Sequence, residues 1–426
     1  MMQLHEKNVV TCFLRHRSEV LLVRRSAQVG SYQGRWGAVS GYVEADENPE
    51  AAAYREVAEE TGLAATALHL VQRGAPFAVE DAALGTRWIV HPFLFDGAHR
   101  DVRLDGETTE AAWVPPTEIL RRDTVPQLWT SYSRVAPSVD SLRADRTHGS
   151  ATLSYRALDV LRDRAGWLAQ QEGGTQTDWE QLAALAHRLL DARPAMAALR
   201  NRVNRVMHAC RDEPLAEAVE REAQAGLVRA FAVDEGTAEH AAGYVAGRRV
   251  FTLSRSGTVL DALRRADPAP AQIVVAASEP GGEGIGVAEA LARDGFNVLL
   301  VPDAALLSVF EQGRVNVVLV GADTVLPSGS VVNKVGTHLA ALAARQHRIP
   351  FYAAAACDKV GIEQQPLLEA GEPGALYGGD APLEVFLPLF EVTPGKLLSG
   401  IITEDGVLAP VEMQDVAFER KALSQW

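Results

Sequence analysis

Arg55, Glu56, Glu59 and Glu60 stand at spacings of one, three and four residues in the segment GYVEADENPEAAAYREVAEETGL. On a helix those spacings put the three glutamates on one face, with their carboxylates within reach of one another. Like charges that close destabilise an ordinary helix. A hard divalent cation, Mg2+ or Mn2+, removes that penalty, because it takes oxygen ligands and keeps room for water and substrate phosphates. The chemistry on offer is metal-assisted attack on a phosphate compound. Glu56, Glu59 and Glu60 are the metal ligands in that reading, and Glu59 or Glu60 also takes the proton of a water. The plainer alternative is a solvated acidic helix face.

The helix that must carry these residues has marked ends. Asn48 is a good N-cap, Pro49 suits the first helical position, and Gly62 suits the position after the last turn. Ahead of it, Val9 to Leu14 and Glu19 to Val23 read as strands joined by the turn Arg15 to Ser18. SYQGRWGAVSGYVE then reads as a loop that leads into the helix, and Trp36 within it is either core or a platform for a nucleobase. Thr86 to Phe95 and Ala111 to Val114 read as further strands.

The 426 residues are 47% apolar and 23% charged, the balance of an ordinary globular chain with room for about two or three domains. A net charge of −14 argues against non-specific binding to nucleic acid or to an anionic membrane. Cys12, Cys210 and Cys357 are far apart and odd in number, with neither a disulfide framework nor zinc spacing, which points to a reducing compartment. MMQLHEKNVV lacks the layout of a secretory leader, and no apolar run approaches the ~18 residues of a membrane span. A cytoplasmic protein is expected.

Residues 136–151 are polar and weakly periodic and read as a linker. Residues 152–247 show apolar positions at helical spacing and read as a helical subdomain. From residue 248 the pattern changes. RVFTL, QIVVAA, NVLLVP, NVVLVGAD and PFYAAAA alternate with helical stretches, which indicates a parallel sheet covered on both faces. No GxGxxG follows the first of these strands, so dinucleotide binding is not indicated. Ligands of such sheets sit outside the carboxyl ends of the strands, where Ser254-Arg255-Ser256-Gly257, Ser278 to Gly284, Gly321-Ala322-Asp323 and Cys357-Asp358-Lys359 fall. Buried structural cysteine is the expectation for Cys357.

Two resemblances sharpen this reading. Gly41, Glu47, Arg55-Glu56-Val57, Glu59-Glu60 and Gly62-Leu63 match every fixed position of the Nudix box, so residues 1–135 resemble a Nudix hydrolase domain. The resemblance implies an α/β/α sandwich and a pyrophosphohydrolase acting on a nucleoside diphosphate linked to another group. It also implies that Arg55 orients the carboxylates and that Glu47 supports the loop. In Nudix enzymes a carboxylate outside the box sometimes adds a ligand or base; Glu107 and Glu110 are candidates, or plain solvated charge.

The chain from about Tyr155 onward resembles a second family, on ARPAMAALRNRV, GADTVLPSGSVVNKVGT and FEVTPGKLLSGIITEDGV. That family holds the alpha, beta and delta subunits of translation initiation factor 2B and the methylthioribose-1-phosphate and ribose-1,5-bisphosphate isomerases. The resemblance implies a Rossmann-like domain over 248–426 and a homodimer. The isomerases use a cysteine after the first Rossmann strand; here that position falls on Arg255, and arginine is not an acid, base or nucleophile near neutral pH. The family's Ser-Arg-Pro turn reads Ser278-Glu279-Pro280 here. Asp323, Asn333 and Lys334 are retained. The expectation is a domain that binds a sugar phosphate or nucleotide through Arg193, Arg255, Asp323, Asn333 and Lys334 without isomerising it. The alternatives are a bifunctional hydrolase and isomerase, or a regulatory binding protein related to the initiation factor subunits.

Overall fold

The computed structural model describes residues 4–171 and 175–426; the first three residues of the leader reading lie outside the described residues. The chain forms two compact units, Met1–Ser138 with Asp159–Asp178, and Val139–Leu158 with Trp179–Trp426.

The first unit is built on β1 (His5–His16), β2 (Glu19–Arg25), β3 (Trp36–Gly37), β4 (Val39–Tyr42), α1 (Pro49–Thr61), β5 (Leu68–Arg73), β6 (Phe77–Asp81), β7 (Thr86–Gly97), β8 (Thr108–Val114) and α2 (Leu128–Ser133). The strands make one sheet of order β3-β2-β1-β7-β5, with β4 on β1, β6 on β7 and β8 on β2. β1 and β7 run parallel from His5↔Thr86 to Arg15↔Asp96, and the other pairs are antiparallel. Side chains alternate across β1 as the pleat requires. Val10, Cys12 and Leu14 pack with Ala52, Ala53 and Val57 of α1, whereas Phe13 packs with Leu128 and Tyr132 of α2. The result is the expected α/β/α sandwich.

Arg15 and His16, expected in a turn, complete β1; the reversal is at Arg17, with φ 58°, and Ser18. Arg15 stays in the strand because its guanidinium forks onto Asp96 of β7 at 2.7 and 3.1 Å. The stretch read as a loop before α1 contains β3 and β4. β5 and β6 were not legible as strands, because LHLVQR and FAVED are half-exposed and lack a clean apolar alternation.

The second unit begins with α3 (Val139–Ala144), inside the stretch read as a linker. Next come α4 (Ser150–Leu168), whose residues from Asp159 onward belong to the first unit, and then α5 (Thr175–Ala192), α6 (Ala197–Cys210) and the long α7 (Ala216–Val245). An α/β region follows: β9 (Arg249–Leu253), α8 (Gly257–Arg265), β10 (Gln272–Ala276), α9 (Glu283–Arg293), β11 (Val298–Val301), α10 (Leu306–Glu311), β12 (Val317–Gly321), β13 (Thr324–Val325), β14 (Val331–Lys334), α11 (Thr337–His347), β15 (Phe351–Ala354), β16 (Phe390–Thr393), β17 (Gly400–Thr403), β18 (Gly406–Leu408) and α12 (Met413–Ala422). The main sheet has the order β11-β10-β9-β12-β15-β17-β18 and is parallel up to β17. Phe251, Val274, Val318 and Val320 face one apolar cluster, and Val250, Ile273, Val275, Val317 and Leu319 face the other, so both faces are covered as a Rossmann-like sheet demands. A small antiparallel sheet, β13-β14-β16, was not anticipated. Among the described residues, no helix is long and apolar enough to cross a membrane.

Candidate functional site

The acidic helix is set up locally, as its sequence implies. The Asn48 side chain accepts from Ala51 N at 2.8 Å, Pro49 opens α1, and Gly62 at φ 70° closes it by donating to Ala58 O. One face of α1 packs on β1, and the neighbouring face presents Glu56 and Glu60 to β4. Glu56 lies directly over Gly41: a Cβ there would fall 1.9 Å from Cδ of Glu56. Ser40 N donates to Glu60 Oε1 at 3.0 Å.

Arg55 is the hub of the cluster. Its Nε and Nη2 fork onto the Glu47 carboxylate at 3.0 and 2.9 Å, and Nη2 also donates to Tyr42 O at 3.0 Å. Nη1 bridges Glu56 Oε1 at 2.7 Å and Glu59 Oε2 at 3.2 Å. This clamp pulls the Glu47 carboxyl down and the Arg55 pKa up. The carboxylates nearer the sheet behave oppositely. Burial, above all, pushes Glu60 up to about 8, helped by the charges of Asp105 and Glu56 and opposed by the Ser40 N–H and Arg25. Burial likewise raises Glu56, against the pull of Arg55. Beneath them, burial and these two charges raise the Cys12 thiol.

The residues fit a hard divalent cation. The donors are carboxylate oxygens, the glycine cradle leaves room for Glu56, and Glu56 and Glu60 are held where negative charge is under-compensated. The three carboxylates are not gathered at one point: Glu60 turns to Ser40 N while Arg55 holds Glu56 and the exposed Glu59. Among the described residues, the one group of at least three acidic, histidine or cysteine side chains whose ligand atoms lie within 4.8 Å of one another is Cys357, Glu404 and Asp405 in the second unit. Of the carboxylates outside the box, Glu110 pairs with Arg24 at 3.6 Å and Glu107 is exposed. Asp105 faces Glu60 instead, and its place in an irregular loop gave no periodic signal. Trp36 is not a free platform, since Arg122 covers its ring at 4.4 Å and it packs on the α2-side core.

In the second unit, the β13–β14 hairpin gathers Asp323, Asn333 and Lys334. Asp323 N donates to Val332 O at 2.9 Å. Burial raises the Asp323 carboxyl, opposed by the Lys359 charge and by hydrogen bonds from Ser150 at the start of α4. Lys359 is itself buried, donating to Ala322 O at 2.8 Å, and burial lowers its pKa against the pull of Asp323. Asn333 Nδ2 donates to Thr337 Oγ1 at 3.1 Å, and Lys334 Nζ pairs with Glu283 at 2.6 Å. Arg255 is exposed at the end of β9 and bears on His148; burial first, then Arg156 and Arg255, lower the His148 pKa. Arg193 is already committed, donating to Leu142 O at 3.1 Å and to Glu369 at 3.4 Å. Glu369 in turn raises Asp323. His148 and Ser150 were missed from sequence, whereas Glu283 and Lys359 fall in strand-end segments read as ligand positions, with no role assigned to either residue. The available signal was Thr147-His148-Gly149-Ser150 directly ahead of a periodic helix, a helix-start pattern taken for part of a linker.

Residues 5–135 match the NUDIX domain, and residues 146–410 match the initiation factor 2 subunit family. A methylthioribose-1-phosphate isomerase of Serratia proteamaculans is 30% identical over 332 residues, 71% of this chain and 94% of that protein. A putative methylthioribose-1-phosphate isomerase of Pyrococcus horikoshii is 40% identical over 126 residues, 28% of this chain and 35% of that protein. Among solved structures, 5-methylthioribose 1-phosphate isomerase from Pyrococcus horikoshii superposes with a TM-score of 0.55 at 21% identity, covering 73% of this chain and 89% of that one. Translation initiation factor eIF-2B of the same organism gives 0.55 at 24% identity, covering 64% and 95%. At such identities the structural likeness speaks for the fold alone.

Proposed function

Because the chain belongs to the initiation factor 2 subunit family and carries a NUDIX domain ahead of that region, we propose that it is a Mg2+- or Mn2+-dependent pyrophosphohydrolase of nucleoside diphosphate derivatives, with a second unit that binds a sugar phosphate or nucleotide without isomerising it. The observation that carries the first half is the Arg55 clamp over Glu56, Glu59 and the Gly41 cradle. Glu56, Glu59 and Glu60 would hold the cation, which would supply positive charge against the diphosphate and acidity to water. Arg55 keeps Glu56 and Glu59 oriented, Glu47 keeps Arg55 in place, and Glu59 or Glu60 accepts the proton of the attacking water. A panel of nucleoside diphosphate derivatives with Mg2+ or Mn2+, ADP-ribose and nucleotide sugars among them, tests this by the phosphate-containing products released. Turnover of none of them would remove the hydrolase reading.

The second half rests on Arg255. Cys12 lies in the first unit's core, Cys210 ends α6, and Cys357 follows β15, so no thiol follows β9. The exposed guanidinium there suits a phosphate, and Asp323 beside Ser150 suits a sugar hydroxyl. The bifunctional reading requires a proton-transfer group that Arg255 does not supply.

A further inference from the structure

A pocket opens on the face of the first unit's sheet that is turned away from α1, lined by Val9 and Thr11 of β1, Ser40 and Tyr42 of β4, and Trp88 of β7 among others. It follows from alternation, since Val10 and Cys12 point to α1 and their neighbours point here. The loop carrying Tyr32 and the segment ahead of α2 close its sides. β4 is the shared wall: its Ser40 N holds Glu60 and its Gly41 cradles Glu56, so the pocket begins where the carboxylates are.

The lining has a definite chemistry. Tyr42 is 52% exposed and lies 6.1 Å from the buried Trp88, ring to ring, with the planes 36° apart. Lys7, which does not line the pocket, sits over both rings at 5.3 and 5.7 Å. Tyr32 is pinned by its hydroxyl, which donates to Asp81 at 2.8 Å; Asp81 is fixed by the N–H groups of Ala83 and Leu84. Trp88 Nε1–H is buried and is directed at the Tyr32 hydroxyl. Arg25, among the described residues the only charged one of the lining, spans Ser31 O at 3.0 Å and Ser40 Oγ at 3.4 Å and faces Glu60. Among the described residues, no carboxylate and no side-chain amide lines the pocket.

A sugar ring is held by dense hydrogen bonding to such carboxylates and amides, which are missing here. Flat aromatic walls with a guanidinium at one end suit a planar ring attached to an anion. We propose that this pocket seats the nucleobase of the substrate, with Tyr42 and Trp88 as its stacking wall and Arg25 toward the phosphate end. The hydrolase thus grips its diphosphate by the nucleoside half and leaves the other half outside. The proposal deepens the hydrolase reading and rests on it for what the base is attached to; the pocket itself is testable without turnover.

The test uses the full chain without added metal. Tryptophan fluorescence is followed during titration with AMP, GMP, CMP and UMP, and with ribose 5-phosphate as the base-free probe. The Trp88→Phe variant isolates the signal from this pocket. At least one nucleotide should give a saturable quench that Trp88→Phe abolishes, and ribose 5-phosphate should give none. Tyr42→Ala should weaken that nucleotide about tenfold or more, the usual scale of base stacking, and Tyr42→Phe should restore it. Tyr42 is exposed, so its variants probe the pocket even where Trp88→Phe disturbs folding. With a substrate from the hydrolysis panel, Tyr42→Ala should raise KM and leave kcat nearly unchanged. A Trp88-dependent quench without turnover of any diphosphate would support the pocket and sink the hydrolase reading. Turnover with no such quench, equal quenching by ribose 5-phosphate, or parent affinity in Tyr42→Ala would overturn the nucleobase seat.

Discussion

Glu56 lies across Gly41 so closely that a side chain there would push the Glu56 carboxylate aside: the first added carbon would fall 1.9 Å from Cδ of Glu56. The glycine at the head of the acidic segment therefore leaves room for a side chain that follows it on α1 and does not answer a positive φ. Gly41→Ala should displace the Glu56 carboxylate from Arg55 and lower turnover about 10- to 100-fold, the usual cost of misplacing a metal ligand's support. Gly41 pairs with Val10 in the sheet, so melting temperature should fall only modestly. Parent-like turnover in a folded Gly41→Ala protein would show that the position of Glu56 does not matter.

Removing charge from the acidic face is the direct test of the site. Glu60→Gln keeps an oxygen for Ser40 N, and Glu59→Gln lies at an exposed position, so both should fold. Turnover of a confirmed substrate should drop by orders of magnitude in each. Arg55→Lys should lose about 10- to 100-fold, because an ammonium cannot fork onto Glu47 while bridging Glu56 and Glu59. Unchanged rates in both glutamine variants would dismiss the metal assignment.

The proposal that Arg255 stands where the isomerases use a cysteine predicts that ribose 1,5-bisphosphate and methylthioribose 1-phosphate are not converted to ketoses. Ketose formed at an enzymatic rate by the purified chain, and lost in Asp323→Asn, would reverse this and establish the bifunctional reading.

The acidic helix and its caps were legible because their signals are local: spacing, an asparagine, a proline, a glycine. The strand β4 was not, because VSGY is four residues long and earns its place by pairing with β1 and cradling Glu56. The aromatic pocket was illegible for a similar reason. Tyr32, Tyr42 and Trp88 are far apart in sequence and meet only through the sheet, whereas Trp36, the residue singled out, is covered by Arg122. In the second unit the strand ends were readable from apolar runs. Ser150 was not, and neither was the pairing of Lys359 with Asp323, since Asp323 is brought to both only by the packed fold.

Asp145 ties the start of α4 to acid stability. Burial alone would raise its carboxyl, but the N–H groups of Thr147 and His148 and the His148 ring hold it at about 2; Arg156 pairs with it at 2.8 Å. A folded-state pKa below the unfolded value of about 3.9 contributes stability that is complete above that value and is lost as pH falls toward about 2. Asp145→Asn should therefore lower the melting temperature at pH 7, and the gap to the parent should narrow between about pH 4 and pH 2. A gap independent of pH would show that the charge of Asp145 is not what stabilises this turn.

Lys334 and Glu283 decide how the second unit meets a phosphate. Lys334 is buried and paired with Glu283 at 2.6 Å, so much of its charge is already answered. A phosphate arriving near Asp323 and Asn333 must compete with that carboxylate, and Glu279 adds a further negative charge on the Ser278 turn. The ligand should therefore lie toward Arg255, where the guanidinium is exposed. Calorimetry with ribose 5-phosphate, which carries no base for the first unit's pocket, isolates this site. The full chain is used, because Asp159–Asp178 belongs to the first unit and a cut near residue 151 would divide it from the rest. Lys334→Ala should weaken binding about tenfold or more, the scale of a lost charge-assisted hydrogen bond. Glu283→Gln should tighten it, because it frees the ammonium and removes a repelling charge. Tighter binding in Glu283→Gln together with weaker binding in Lys334→Ala is a pattern that loss of folding cannot produce. No binding of ribose 5-phosphate at millimolar concentration by the parent or by Glu283→Gln would leave this region as an assembly module.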